Sequence, residues 1–261
     1  MTQSTALPPE QADATHAPGT PAPASRHGND DAVPHLPLGK SPEETFPFIA
    51  AAARGLGFEF CVHGLRLPLP ITKPRTAFFS NYPPAWLQRY HEQNYIEIDP
   101  TVSHGMRSSD AVVWDDAFFA GAKQMWEEAR AYGVRYGWAQ SRRDSEGSYS
   151  MLIVARSQGE ITPAELDRIE PQLQWLVHTS HHAMKMACAG SDVVSAPIEL
   201  SDREIDVLRW TAEGKTSAEI ATILDISERT VNFHVNSVVA KLGATNKTSA
   251  AVRAAMLGLI W

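Results

Sequence analysis

The sequence has little of several features that mark membrane-bound or secreted proteins. Its 261 residues include only two cysteines, Cys61 and Cys188, which lie 127 positions apart and form neither a metal-binding spacing nor a disulfide framework. No apolar run approaches the ~18–20 residues that a membrane span requires. The opening residues lack a basic start followed by an apolar stretch, so we expect no secretory signal. These absences predict a cytoplasmic protein without a membrane partner.

An excess of positive charge is also missing. The formal net charge is −7, from 23 basic and 30 acidic residues, which argues against charge-driven binding of the whole chain to nucleic acid. The charge is uneven, however, because residues 1–39 and 40–198 carry −3 each whereas residues 199–261 carry only −1. Within 226–261, basic residues exceed acidic ones by three. Any contact with DNA is therefore expected near the carboxy-terminal end.

Composition divides the chain into a tail, two domains and a linker. Residues 1–39 are rich in Pro, Ala, Ser, Thr and Asp and hold no aromatic residue, which predicts a disordered tail. Hydrophobic residues make up 43% of the sequence, enough for the cores of two domains. We predict these domains at 40–190 and 199–261, joined by a linker at 191–198.

The first predicted domain mixes helix and strand signals. Ser41 and the prolines and glutamates after it supply an N-cap, an N1 proline and a capping box. Strand-like segments occur at 58–67, 76–80, 134–143 and 148–155, and the last two predict a hairpin around Gly147. Helices are indicated over 41–55, after Pro83, over 118–132 and from Pro163 onward. Pro171 should kink this last, long helix or divide it in two.

The second predicted domain consists of four short helices. Capping boxes begin the first two at Ser201 and Thr216, and Ser227 caps the third. A helix, a tight turn and a second capped helix form the helix-turn-helix arrangement, here about Ala218 to Ser237.

The third helix of this domain has a face suited to DNA. Asn232 and Asn236 are i, i+4 neighbours, so their amides project the same way, and asparagine pairs bidentately with adenine in the major groove. Other polar side chains suit phosphates, and the preceding helix offers N-terminal N–H groups. The candidate DNA contacts are Thr216, Ser217, Ser227, Arg229, Thr230, Asn232, Asn236 and Lys241. A solvated surface helix is the simpler alternative for any one of them.

Two other binding patterns are incomplete. Gly214-Lys215-Thr216 matches only the end of a phosphate-binding P-loop, because Arg209 stands where the first glycine belongs and a helix precedes it. Three histidines of the long helix, His178, His181 and His182, have a spacing that can bind metal. No carboxylate or cysteine lies at matching helical spacing, so we expect these histidines on a solvated helix surface.

A catalytic site cannot be assembled from the acidic residues. Asp115-Asp116 with Glu127-Glu128 fit helix capping and surface charge more simply than acid–base catalysis. No nucleophile and base stand in a suitable pattern. We therefore expect no enzymatic activity, no metal and no cofactor.

Both domains resemble those of one protein family. The string from Leu200 to Ile260 resembles the LuxR-type helix-turn-helix, with Glu204, Leu208 and Gly214 at its signature positions. The upstream pattern resembles the ligand-binding domain of quorum-sensing receptors for N-acyl-homoserine lactones. It consists of the segment from Tyr82 to Tyr90, then Tyr95, Asp99-Pro100, Trp114, Gly133 and Gly137. The resemblance implies an α-β-α sandwich with an antiparallel sheet, followed by an all-α four-helix domain. The aromatic pattern disfavours a phosphorylated receiver domain as the input.

The resemblance also assigns roles to residues of the ligand site. The Trp86 indole N–H would donate to the lactone carbonyl, the Asp99 carboxylate would accept from the amide N–H, and the Tyr82 hydroxyl would donate to the amide carbonyl. Burying these ligand groups unpaired would cost about 1–3 kcal/mol each. The other candidate pocket residues are Tyr90, Trp114, Phe119, Met125, Ala129, Ser150 and Ile153. Ser150 is included because relatives often carry Ser or Thr where this chain has Ile153. Ordinary core packing is the alternative for any single aromatic residue.

The function that this resemblance implies is ligand-responsive regulation of transcription. Bound lactone would stabilise the sensor domain by mass action. A homodimer, formed through the long helix and the last helix, would then read a palindrome in double-stranded DNA. Activation, with RNA polymerase as a further partner, is the default expectation. A repressor that binds DNA without ligand and is released by it is the alternative.

Overall fold

The computed structural model describes residues 40–189 and 198–260. The predicted tail at 1–39 lies outside the described residues, as does the predicted linker except for its last residue. The helices are α1 (Pro42–Gly55), α2 (Pro84–Glu92), α3 (Pro100–Arg107), α4 (Lys123–Ala131), α5 (Pro163–Ala189), α6 (Asp202–Ala212), α7 (Ser217–Leu224), α8 (Glu228–Lys241) and α9 (Lys247–Met256). The strands are β1 (Phe60–Arg66), β2 (Thr76–Ser80), β3 (Val112–Val113), β4 (Tyr136–Arg143) and β5 (Tyr149–Arg156).

The five strands form one antiparallel sheet in the order β2-β1-β5-β4-β3. In its centre Cys61 pairs with Val154, and Ala139 pairs with Ile153. Because side chains alternate along a strand, β1, β3, β4 and β5 each contribute to two separate cores, one on each face of the sheet.

Helices α1 and α5 cover the first face. Apolar side chains of α5 recur at helical spacing and pack on Leu152, Val154 and Trp138 of the sheet. The predicted long helix is therefore confirmed. It continues through Pro171 as one helix and is not divided in two. Pro171 lies on the exposed side of α5, so its ring contacts no packed neighbour.

Helices α2, α3 and α4 cover the second face, which completes the α-β-α sandwich. Arg89 of α2 makes a two-pronged ion pair with Glu128 of α4, at 2.7 and 2.8 Å, and so joins two helices of this layer. Helix α3 and the short strand β3 were not predicted, because neither has enough apolar residues to show the periodicity of a helix or a strand. The predicted fold class of this domain is confirmed.

The carboxy-terminal domain consists of α6 to α9. Both predicted capping boxes are present at Ser201 and Thr216, and Ser227 caps α8. Asp225, in the left-handed conformation at φ 52°, makes the tight turn between α7 and α8. The predicted all-α helix-turn-helix domain is confirmed. None of the helices within 40–189 and 198–260 combines the length and the apolar character that a membrane crossing requires.

Candidate functional site

The second face of the sheet carries a large cluster of aromatic and apolar side chains. It brings together most of the predicted ligand-pocket residues, from α2 and the loop before it, α4 and the loop before it, and strand β5. These residues are Tyr82, Trp86, Tyr90, Trp114, Phe119, Met125, Ala129 and Ile153, and we call them, with Tyr95 and Trp126, the aromatic cluster. Tyr82 and Ile153, which are 71 positions apart in sequence, thus belong to one core.

Asp99 places a buried carboxylate beside the aromatic cluster. The residue is only 9% exposed and is the N-cap of α3, where the Thr101 backbone N–H donates to Oδ1 at 2.7 Å. The Tyr90 hydroxyl donates to Oδ2 at 2.9 Å. Burial raises the pKa of the Asp99 carboxyl, and these hydrogen bonds offset part of that rise. Each carboxylate oxygen has a second lone pair, so Asp99 can accept one more N–H donor.

The other two predicted polar residues, Tyr82 just before α2 and Trp86 within it, also belong to the aromatic cluster. Pro83 and Pro84 fix the start of this helix, and Trp86 lies one turn before Tyr90, with ring centroids 5.7 Å apart at 76°. Burial raises the pKa of Tyr82 well above its usual value, and the negative charge of Asp99 raises it further. The Tyr82 hydroxyl therefore stays protonated and is available as a hydrogen-bond donor.

Trp114 is a buried member of the aromatic cluster. Its ring makes edge contacts with Phe119 and Trp126, at centroid distances of 5.6 and 6.0 Å. The indole Nε1 is buried and has no hydrogen-bond partner among the described residues. Gly137 of β4 lies directly beneath the ring, where a Cβ atom would overlap the indole. The absence of a side chain at this strand position is what admits the tryptophan.

Ser150 does not belong to this site, so that part of the prediction is wrong. Ile153 faces the aromatic cluster, whereas Ser150, three residues earlier on β5, faces α5 on the other side of the sheet. Its hydroxyl lies 2.7 Å from Nδ1 of His181. The alternation of side chains along the strand explains the error, because an odd offset from Ile153 reverses the face.

Trp126 is a cluster residue that the sequence analysis missed. Its ring stacks on Phe119 at a centroid distance of 4.3 Å and an angle of 4°. The signal was present, because Met125, Trp126 and Ala129 are at i, i+1 and i+4 and so lie on one face of α4. Trp126 also donates from its indole Nε1 to Asp116 at 2.7 Å, which ties the loop before α4 to the helix.

The two aspartates before α4 and one histidine of α5 form hydrogen bonds within the sensor domain. Asp115 caps the turn at Phe118, and Asp116 accepts from Trp126. His178 and His182 are exposed on α5, as expected, but His181 is buried and hydrogen-bonded. The expectation of a solvated surface is therefore wrong for His181.

The candidate DNA interface is the outer face of α8. Arg229, Asn232 and Asn236 are exposed along it, and the two asparagines stand one turn apart as predicted. Phe233 lies between them and is 69% exposed. Phe233 is not among the predicted DNA contacts, because a phenylalanine at such a position is ordinarily buried in the core. Apolar side chains can contact the methyl group of thymine in the major groove.

Several predicted phosphate contacts also stabilise helix ends. The Ser227 hydroxyl accepts from the Thr230 backbone N–H at 3.0 Å, and Thr216 caps α7, whose first residue is Ser217. The side-chain oxygens of Ser227 and Thr216 therefore accept hydrogen bonds from the first turns of their own helices. Contact with a phosphate is left to the free backbone N–H groups of the first turns, which is compatible with the predicted role.

Lys241 is engaged inside the domain, which the sequence did not indicate. Its ammonium donates to Glu204 at 2.8 Å and to the Glu199 carbonyl at 2.9 Å, and the side chain is 40% exposed. Ser237 donates to the other Glu204 oxygen at 2.6 Å and so faces α6, which places it off the exposed face of α8. Glu204 thereby links α6 to the end of α8 through two different side chains.

Comparisons with known proteins match both domains. The family model described as "Autoinducer binding domain" matches residues 41–184, and "Bacterial regulatory proteins, luxR family" matches residues 199–254. The transcriptional activator protein AnoR of Acinetobacter nosocomialis is 44% identical over 223 residues, which cover 85% of this chain and 94% of that protein. The transcriptional repressor ThaA of Burkholderia thailandensis is 39% identical over 237 residues, covering 89% of this chain and 98% of that protein.

A solved structure of a relative extends over the same two domains. SdiA, a regulatory protein of Escherichia coli, in complex with octanoyl-rac-glycerol has a TM-score of 0.66 and 38% sequence identity. The match covers 84% of this chain and 90% of that one.

Proposed function

The chain belongs to the LuxR family of quorum-sensing transcription regulators, and from this membership we propose that its sensor domain binds an N-acyl-homoserine lactone in the aromatic cluster. The observation that carries this proposal is the buried Asp99 carboxylate, held by Tyr90 and the Thr101 N–H at the edge of an otherwise apolar core. The lactone would be an effector, and no metal or other cofactor is required.

The polar groups of such a lactone complement those around Asp99. The amide N–H of the ligand would donate to Asp99, and an ionised carboxylate accepts such a bond more strongly than a neutral group does. The Tyr82 hydroxyl and the Trp86 indole N–H would donate to the amide and lactone carbonyls. The acyl chain would then lie against the apolar side chains Phe119, Met125 and Ile153. SdiA in complex with octanoyl-rac-glycerol supports an acyl chain as the apolar part of the ligand.

Asp99→Asn tests this assignment. Asparagine caps a helix about as well as aspartate, so α3 should keep its N-terminus while the charge is lost. A hydrogen bond to a charged group contributes about 1.5–3 kcal/mol, so we expect lactone binding to weaken about 10- to 150-fold. Titration calorimetry with a panel of unsubstituted and 3-oxo lactones measures this directly.

The matched control is Asp110→Asn, which removes an exposed carboxylate of the same domain outside the aromatic cluster. Its lactone affinity should equal that of the parent chain. If Asp99→Asn binds every lactone as tightly as Asp110→Asn, Asp99 is not the acceptor and the proposed site is wrong.

We further propose that the ligand-bound chain acts in the cytoplasm as a homodimer on palindromic DNA. Each α8 would enter a major groove, with Asn232 and Asn236 toward the bases and Arg229 toward phosphate. The low charge of the domain favours this arrangement, since one copy alone has few cations to hold DNA. Val252, exposed on α9, offers an apolar contact for the second copy. Sedimentation with and without lactone tests the dimer.

Activation of transcription, through contact with RNA polymerase, is our first candidate for the output. The identity to the activator AnoR supports it. Repression is the second candidate, supported by the similarity to the repressor ThaA. Fluorescence anisotropy on a palindromic operator distinguishes them, because an activator of this kind should bind DNA more tightly with lactone and a lactone-released repressor less tightly.

A further inference from the structure

The turn between β4 and β5 lies directly against the end of α9. Gly147 in this turn has φ +76°, and a Cβ atom added there would overlap the carbonyl oxygen of Met256. Gly258, just after α9, has φ +65°, and a Cβ atom there would overlap the carbonyl oxygen of Ser145. Backbone thus meets backbone from both sides, at positions that hold no side chain.

Asp144 gives this turn a fixed shape. Its Oδ1 accepts from the backbone N–H groups of Glu146 and Ser148, at 3.0 and 2.8 Å. The Asp144 backbone N–H donates to the Ser148 carbonyl at 3.0 Å, and the Gly147 N–H donates to the Asp144 carbonyl at 3.1 Å. These four hydrogen bonds account for the turn without any contribution from α9.

The same carboxylate anchors the turn to α5. Oδ2 of Asp144 lies 3.1 Å from Nε2 of His181 and 2.5 Å from Nζ of Lys185, and Lys185 also bonds to Glu146 at 2.8 Å. His181 is held in turn by Ser150 of β5. Because three of these groups are largely buried, the turn is fastened to the body of the sensor domain.

On the other side, α9 is bonded to the end of α8. Arg253 donates from Nη1 to the carbonyls of Leu242 and Gly243, at 2.7 and 2.6 Å. These carbonyls lie at the carboxy-terminal end of α8, where orphan helix acceptors need donors. A continuous series of contacts therefore runs from β5, which carries Ile153 of the aromatic cluster, through the turn and α9 to α8.

We propose that the β4–β5 turn, residues 144–148, is an intramolecular docking element that holds the end of α9 and fixes the DNA-binding domain to the sensor domain. The proposal goes beyond the ligand and DNA sites. It rests on the proposed function only in its consequence, that a change at the aromatic cluster reaches α8 through this contact. A packed element that contacts both domains is one physical means by which the equilibria of two sites become coupled.

Glycine substitutions test the docking with a matched control. Gly147→Ala introduces a methyl group into the contact, whereas Gly159→Ala introduces it at nearly the same backbone angle, φ +77°, with the nearest atom 3.9 Å away. Both variants place an alanine at nearly the same positive φ, so the strain from that angle is matched. In the unliganded full chain, we expect Gly147→Ala to speed hydrogen exchange of the Leu257 and Gly258 amides by about tenfold, and Gly159→Ala to leave it unchanged.

The same variants are then compared for DNA binding with and without lactone. The ratio of the two dissociation constants should fall toward one in Gly147→Ala and stay at the parent value in Gly159→Ala. Unchanged exchange at the end of α9 in Gly147→Ala overturns the docking. Faster exchange with an unchanged ratio overturns its role in coupling. A parent chain whose DNA affinity ignores every lactone contradicts the proposed function instead, and the exchange comparison still decides the docking.

A second pair of variants approaches the contact from α9. Gly258→Ala places its methyl group against Ser145, and Gly214→Ala is the control, a positive-φ glycine of the same domain with nothing within 4 Å. If Gly147→Ala fails to fold, this pair answers the same question. Faster exchange of the turn amides of Glu146 and Ser148 in Gly258→Ala alone supports the docking, and equal exchange in both variants overturns it.

Discussion

Gly137→Ala should destabilise the sensor domain by displacing Trp114. The new Cβ atom would lie 2.5 Å from Cδ2 and Cζ3 of the indole, whereas carbon atoms in contact stay about 3.5–4.0 Å apart. The ring or the strand must therefore move by roughly 1 Å. Phe119 and Trp126 already pack edge-on against the indole, so moving the ring disturbs both contacts. Overpacking of this kind costs about 1–3 kcal/mol of unfolding free energy.

Gly64→Ala is the control for this prediction. Gly64 lies in β1 of the same sheet, and a Cβ atom added there would find nothing within 4 Å. Replacing such a glycine stabilises a protein by about 0.4–1 kcal/mol, because it reduces the entropy of the unfolded chain. The two variants should thus change stability in opposite directions, although the chemical change is identical.

Scanning calorimetry of the two full-length variants measures the difference. For a domain of this size, 1 kcal/mol corresponds to a shift of roughly 2–4 °C in the unfolding midpoint. We expect Gly137→Ala to unfold at a temperature at least about 3 °C below that of Gly64→Ala, without lactone. A Gly137→Ala chain that unfolds at or above the midpoint of Gly64→Ala would refute the packing argument for Trp114.

Two further predictions concern the DNA-binding domain. Burial raises the pKa of Glu204, but hydrogen bonds from Lys241 and Ser237 lower it to about 2, below its ordinary 4.5. The stabilisation from this carboxylate is thus complete above pH 4.5 and lost as the pH falls toward 2. Glu204→Gln should lower stability by about 1–2 kcal/mol at pH 7, allowing for screening at the exposed lysine, and by less at pH 3 in urea titrations. Asn232→Ala should relax base preference at its position with little change in salt dependence, whereas Arg229→Ala should weaken binding to all sequences and reduce the salt slope by about one in anisotropy titrations. An Asn232→Ala chain that changes only the salt slope contradicts base reading.

Much of the fold follows from local signals in the sequence. Capping boxes at Ser41, Ser201 and Thr216 mark helix starts because each satisfies backbone donors within one turn. Helix α3 shows the same signal, since Asp99 and Pro100 are an N-cap and an N1 proline, yet the resemblance drew attention to Asp99 as a ligand contact. A short helix with few apolar residues is recognised by its cap alone.

The misplaced site residues share a different cause. The prediction of Ser150 as a ligand contact fails because Ser150 is at an odd offset from Ile153 along β5, which turns its side chain to the other face of the sheet. His181 and Lys241 form hydrogen bonds with residues that are distant in sequence, Asp144 and Glu204 respectively. Long-range pairings of this kind depend on how elements pack, which neither spacing nor composition expresses.

The double use of Asp99 restricts how this sensor can change its specificity. The same carboxylate starts α3 and faces the aromatic cluster, so a replacement chosen to suit another head group would also have to satisfy the Thr101 N–H. A longer side chain such as glutamate caps a helix poorly at this position. If the proposed lactone site is correct, specificity is easier to vary at wall positions such as Phe119, Met125 and Ile153, where a change of volume would alter the accepted acyl chain and leave the polar recognition intact.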